Sequence, residues 1–145
     1  MASAQNEREL SFTPYQPVAE EEYMNDAQLA HFRKILLDWK EQLISEAEST
    51  KSYIQDESTA MPDINDRATQ EEEFALALRT RDRERKLIRK IDKSIAEIDS
   101  GDYGFCETCG VEIGLRRLEA RPTATQCIDC KTLSEIKEKQ AWGHA

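Results

Sequence analysis

Positive charge, aromatic side chains and long apolar runs are all scarce in this sequence, and each scarcity excludes something. Twenty Lys and Arg face 29 Asp and Glu, a net charge of −9. The chain as a whole therefore lacks the positive field that nonspecific binding to nucleic acid or an anionic membrane requires. Aromatics make up 7% and charged residues 34%, against 39% hydrophobic. That is too apolar for plain disorder and too charged for a thick globular core, so an elongated, surface-rich helical protein is expected. No stretch approaches the ~18 apolar residues of a membrane span. The opening Met-Ala-Ser-Ala-Gln-Asn-Glu-Arg has no apolar core of signal-peptide length. These absences predict a soluble cytoplasmic protein with no membrane partner. No internal repeat is visible.

What is present divides 145 residues into three segments. Residues 1–25 carry Pro14, Pro17 and the acidic run Glu20-Glu21-Glu22. They read as irregular, with a short helix near Gln5–Leu10, packing on a globular part. Residues 26–100 read as two helices of nearly equal length, Asp26–Ser58 and Asp66–Asp99, joined at a tip over 59–66. Equal helices with a short connection fold back as an antiparallel hairpin, here a rod of roughly 50 Å at about 1.5 Å per residue. Residues 101–145 form a cysteine-bearing module followed by a short helix over Thr132–Gln140, with Thr132 and Glu135 as its capping box.

The hairpin carries coiled-coil patterning. Asn25, with Gln28 three positions on, can cap the first helix. Its seam runs Leu29, Phe32, Leu36, Trp39 and Leu43, supported by Ile35 and Ile44, then meets Glu46, Thr50 and Tyr53. The second helix answers with Phe74, Ala77 and Leu78, is interrupted by Arg81 and Glu84, and resumes at Ile88, Ile91, Ile95 and Ile98. At this spacing Trp39 and the isoleucines read as core rather than as pocket lining. Gly101 supplies the stop.

Cys106-Glu-Thr-Cys109-Gly110 is followed, 17 residues later, by Cys127-Ile-Asp-Cys130. Each pair can place two thiolates about a tetrahedral ion in one tight turn, and Gly110 permits a left-handed backbone there. Two such pairs make a Cys₄ site for one structural zinc ion, with no open position for catalysis. Redox pairs or disulfides are the competing readings, which a cytoplasmic location disfavours. Four thiolates on Zn²⁺ carry a formal −2, which Arg116, Arg117 and Arg121 of the intervening loop can offset. No histidine is available as a ligand: His31 falls on an outer helix position and His144 lies in the tail.

Two further stretches admit two readings each. Arg79–Lys90 holds seven basic and two acidic residues, a local +5 that leaves −14 on the rest. It is either a solvated mixed-charge face or an anion site formed with Arg116, Arg117, Arg121 and Lys131, since arginine forks hold phosphate bidentately. Asp63 and Asp66 at the tip are either helix caps that oppose the dipole or carboxylates projected toward a Mg²⁺ or the cationic groups of a large partner.

Pro62-Asp63, Asp66-Arg-Ala68 with Gln70-Glu-Glu-Glu-Phe74, and Arg81-Asp-Arg-Glu-Arg-Lys-Leu-Ile88 closely resemble the DksA/TraR zinc-finger family of bacterial transcription factors. Cys106–Gly110, Arg116-Arg-Leu-Glu-Ala-Arg-Pro-Thr123 and Cys127-Ile-Asp-Cys-Lys-Thr-Leu133 resemble it as well. The likeness covers roughly residues 20–140. It implies a mainly α fold: a long antiparallel coiled-coil hairpin attached to a small Cys₄ zinc-ribbon-like module with a C-terminal helix. It also implies binding to RNA polymerase, with the hairpin inserted through the secondary channel and Asp63, Asp66 and Ala68 acting near the polymerase active site. The effector guanosine tetraphosphate (ppGpp) would bind at the polymerase interface through Arg83, Leu87, Lys90, Arg121 and Lys131. Two departures occur at the tip: Ala60 stands where the family carries Asn, and Ile64 where a second proline is common.

The expected function is that of a non-enzymatic, monomeric regulator of the stringent response. It would alter promoter-complex stability, repressing ribosomal RNA promoters and activating some biosynthetic ones, without sequence-specific DNA binding. A Gre-like transcript cleavage or elongation factor shares the rod and acidic tip but lacks this zinc site. A zinc-ribbon nucleic-acid binder would instead bind DNA directly and salt-sensitively.

Overall fold

Two helices of 34 residues each dominate the computed structural model, which describes residues 12–59 and 67–143. They are α1 (Asp26–Thr59) and α2 (Arg67–Ser100), followed by α3 (Leu115–Ala120) and α4 (Ile128–Gly143). The described residues contain no strand, only an isolated antiparallel bridge between Phe105 and Glu112. No described helix is long and apolar enough to cross a membrane.

The helix ends follow from local chemistry. Asn25 Oδ1 accepts the amide of Gln28 at 2.8 Å, while Gln28 Oε1 accepts the amide of Met24 at 2.7 Å. This is a capping box whose return bond reaches one residue further back than the usual one. The α2 helix stops where Gly101 takes φ 85°. Its amide bonds Ile98 O at 3.3 Å and that of Asp102 bonds Glu97 O at 2.9 Å, the paired closure of a Schellman end.

Cross-helix partners rise along α1 as they fall along α2: Lys40 with Asp92, Thr50 with Glu84, Tyr53 with Glu73. The helices are therefore antiparallel. The described chain divides into two compact units, one within residues 37–93 and one that pairs residues 12–36 with 94–143. In the first, Leu43, Ala77 and Ile91 are buried, and Trp39, Phe74, Leu87 and Ile88 half-buried. Ile44 and Leu78, expected on the seam, are exposed. Each directly follows a buried residue, Leu43 or Ala77, and the ~100° step per residue carries it off a stripe only two positions wide per heptad.

The other unit gathers Phe32, Ile35, Leu36 and Ile98 of the long helices with Tyr103, Ile113, Leu118 and Pro122, all buried. Phe32 and Tyr103 rings lie 5.7 Å apart. Residues 12–25 have no helix and lie along this unit. Tyr23 donates its hydroxyl proton to Gly104 O at 2.8 Å and accepts the Gly114 amide at 3.0 Å. The amide of Tyr15 bonds Glu119 Oε2 at 2.8 Å, and its hydroxyl bonds Glu21. The short helix expected at Gln5–Leu10 lies outside the described residues.

The last helix begins one turn before the expected Thr132. Thr132 does not cap; its hydroxyl bonds Ile128 O at 2.8 Å inside α4. The first turn is held instead by Cys127, whose sulfur lies 3.5 Å from the Cys130 amide.

Candidate metal centre and interaction residues

The four cysteines converge although they come from two separate turns. Cys106 and Cys109 flank a loop closed by the Gly110 amide on Cys106 O at 2.9 Å, with Gly110 at φ 78°. Cys127 and Cys130 stand at the start of α4. A hydrogen bond from Cys106 N to Val111 O (2.8 Å) closes the first turn further, and one from Glu107 N to Thr125 O (2.8 Å) ties the two turns together.

The four sulfurs all lie within 4.8 Å of one another, and those of Cys109 and Cys127 are 3.7 Å apart. A tetrahedral ion with Zn–S bonds of about 2.3 Å requires sulfurs about 3.8 Å apart. The donor set therefore fits zinc. Burial pushes the Cys106 thiol up, but amide hydrogen bonds from Cys127, Cys109 and Thr108 outweigh it and leave the thiol at about 6. The neighbouring thiols of Cys109 and Cys127 push Cys130 the other way. Zinc binds thiolates, so loading the site releases thiol protons.

The arginines of the loop do different things. Arg117 donates from Nε to Gln126 O at 3.0 Å, one residue before Cys127. Arg116, largely exposed, pairs with Glu119 at 3.5 Å, and Arg121 is exposed just beyond α3. Tyr103, fully buried, braces the loop by donating to Pro122 O at 2.7 Å.

On α2, Arg83, Leu87 and Lys90 fall at i, i+4 and i+7 and share one stripe, with both cations exposed. Arg121 and the half-exposed Lys131 belong to the unit that holds the cysteines. Ala68 is exposed in the first turn of α2. Ala60, Asp63, Ile64 and Asp66 lie outside the described residues, as does His144.

Sequence reasoning placed His31 on an outer position; the structure half-buries it. Its Nε2 lies 3.2 Å from Glu119 Oε2, and its ring contacts Phe12, Tyr15 and Phe32 at centroid separations of 6.1, 5.4 and 5.1 Å. The N-terminal segment covers the face of α1 that the helical pattern alone leaves open. Phe12 and Tyr15, aromatics in a stretch with no core of its own, were the available signal. The α3 helix and its buried Glu119 were also missed.

An antiparallel helical hairpin combined with a Cys₄ zinc-finger site defines the class of protein. Family models match on both parts: the N-terminal domain of DnaK suppressor protein DksA over residues 28–98, and the prokaryotic dksA/traR C4-type zinc finger over 101–135. The chain belongs to the DksA family. It is 62% identical over 130 residues to the RNA polymerase-binding transcription factor DksA of Escherichia coli K12, covering 90% of this chain and 86% of that one. Identity to the Haemophilus influenzae protein of the same name is 61% over 130 residues, 90% of each chain. Among solved structures, transcription factor DksA2 from Pseudomonas aeruginosa superposes with a TM-score of 0.77 at 37% identity, covering 94% of this chain and 98% of that one.

Proposed function

We propose that this chain is a non-enzymatic regulator of transcription initiation that binds RNA polymerase, inserting its hairpin through the secondary channel. The observation that carries the reading is the 62% identity, over 90% of the chain, to a protein named for binding RNA polymerase. The zinc centre serves as scaffold: four sulfurs on one ion leave no open coordination position. Asp63, Asp66 and Ala68 act near the polymerase catalytic centre, and the effector is ppGpp. Arg83, Leu87 and Lys90 offer it one helical stripe, while Arg121 and Lys131 supply further cations for phosphate. The protein acts as a cytoplasmic monomer, stabilising some promoter complexes and shortening the life of others, without reading DNA sequence.

In vitro transcription tests this reading. On a ribosomal RNA promoter the protein lowers output, and ppGpp deepens the effect; no change with either would overturn it. Lys90→Ala and Lys131→Ala are expected to lose the response to ppGpp more than the basal inhibition. Cleavage of RNA in backtracked complexes would instead favour a transcript-cleavage factor.

A further inference from the structure

Within the Leu37–Lys93 unit, α1 and α2 leave an open groove of about 440 Å³ between them. Ser49, Thr50 and Tyr53 form one wall, Glu73, Leu76 and Thr80 the other. Leu76, 59% exposed, adds apolar surface to the second wall.

The polar groups of this groove are all of one kind. A hydroxyl has one proton to donate, and each here is already committed. Ser49 donates to Ser45 O at 3.3 Å, Thr80 to Leu76 O at 3.0 Å, and Tyr53 to Glu73 Oε2 at 3.3 Å. Thr50 Oγ1 lies 3.0 Å from both Glu46 O and Glu84 Oε1, two acceptors competing for a single proton. The groove therefore offers lone pairs, a carboxylate and an aromatic ring, its hydroxyl protons being directed to acceptors already in place. Behind Thr50 stands a second carboxylate, Glu84, 5% exposed, with Oε2 lacking any hydrogen-bond partner. Among the described residues, no ion pair neutralises Glu73 or Glu84.

We propose that this groove receives an arginine side chain presented by the polymerase. A guanidinium is donor-only, forks onto a carboxylate and lies flat on an aromatic ring, which Glu73 and Tyr53 provide. Its weakly hydrated faces suit the apolar surface of Leu76, where a compact, strongly hydrated ammonium is less at home. The assignment rests on the polymerase-binding reading and adds a contact midway along the hairpin, apart from the tip.

The test is equilibrium binding of the full-length, zinc-loaded protein to purified RNA polymerase. Glu73→Gln, which removes the charge from an exposed position, is expected to weaken binding about tenfold. Ser49→Leu, which fills the groove from another exposed position, is expected to do the same. Glu71→Gln serves as control: Glu71 is also exposed and pairs with Arg67 at 3.7 Å but does not line the groove. It is expected to bind as wild type. If wild type binds while Glu73→Gln and Ser49→Leu stay within twofold of it, the groove assignment is overturned and the function stands. If wild type does not bind, both fall. A photoreactive residue at Leu76 should cross-link to a polymerase segment containing arginine. Mapping to a segment without one, whether lysine-bearing, acidic or apolar, overturns the proposal.

Discussion

Thr50 Oγ1 and Glu84 Oε1 meet 3.0 Å apart in the hairpin, where an apolar pair would normally face across the seam. The second oxygen of Glu84 is buried without a partner. Such a group costs about 1–3 kcal/mol of stability. Replacing both residues by apolar ones, Thr50→Val with Glu84→Leu, is expected to raise the unfolding free energy by about 1–3 kcal/mol. Thermal unfolding followed by circular dichroism at neutral pH measures it. A lower melting temperature would mean that the pair fixes the helix register.

Tyr103 should make the fold sensitive to alkali. Burial raises its phenol far above the ordinary range, and Tyr23 is raised by the same cause. An unfolded tyrosine ionises near pH 10, whereas the folded one keeps its proton. The stability it contributes is therefore fully present below about pH 10 and lost as pH rises beyond it, by up to about 1.4 kcal/mol per pH unit. Tyr103→Phe is expected to cost about 1–3 kcal/mol at neutral pH, since Pro122 O loses its donor. It should also flatten the alkaline limb. Urea titrations at a series of pH values read both effects; an unchanged slope above pH 10 counts against the assignment.

Metal removal should divide the molecule. Structural zinc supplies roughly 10–16 kcal/mol of apparent binding energy in small zinc modules, too much for residues 101–131 to do without. Chelation, or Cys127→Ser, is expected to melt that region while much of the helical signal of α1 and α2 persists. Near- and far-ultraviolet circular dichroism separate the two. An unaltered tertiary signal in a metal-free, fully reduced sample would contradict a zinc scaffold.

The tip aspartates can be tested by charge alone. Asparagine caps a helix about as well as aspartate, and losing the charge–dipole attraction costs only about 0.3–1 kcal/mol. Asp63→Asn with Asp66→Asn is therefore expected to bind polymerase as wild type but to stop inhibiting a ribosomal promoter. Normal inhibition at saturating protein would reduce both residues to caps.

How much of this was legible beforehand depended on whether the signal was local. The start of α1 and the end of α2 lie within a residue of their expected positions because Asn25, Gln28 and Gly101 act on their own neighbours. The cysteine cluster was readable because its two turns carry their own spacing. The α3 helix, six residues long, is too short to establish a period. His31 was misplaced because what covers it, Tyr15 and Glu119, comes from opposite ends of the chain, and no window along α1 contains either. The α4 start was misread for a related reason: Cys127 serves as both ligand and cap, and the capping pattern at Thr132 is a decoy one turn on.

The hydroxyl of Tyr23 reaches Gly104 and Gly114, and the amide of Tyr15 reaches Glu119, separations of 81, 91 and 104 residues. A ribosome adding about 5–20 residues per second produces those partners some 4–20 s after the segment that needs them. Through that interval α1 can wind and the hairpin can close, but residues 12–24 have only local contacts, those of Phe12 and Tyr15 with His31 and of Met24 with Gln28. A stretch synthesised well before its distant partners completes its contacts only after them, so nascent chains halted before residue 104 should leave it more open to a protease.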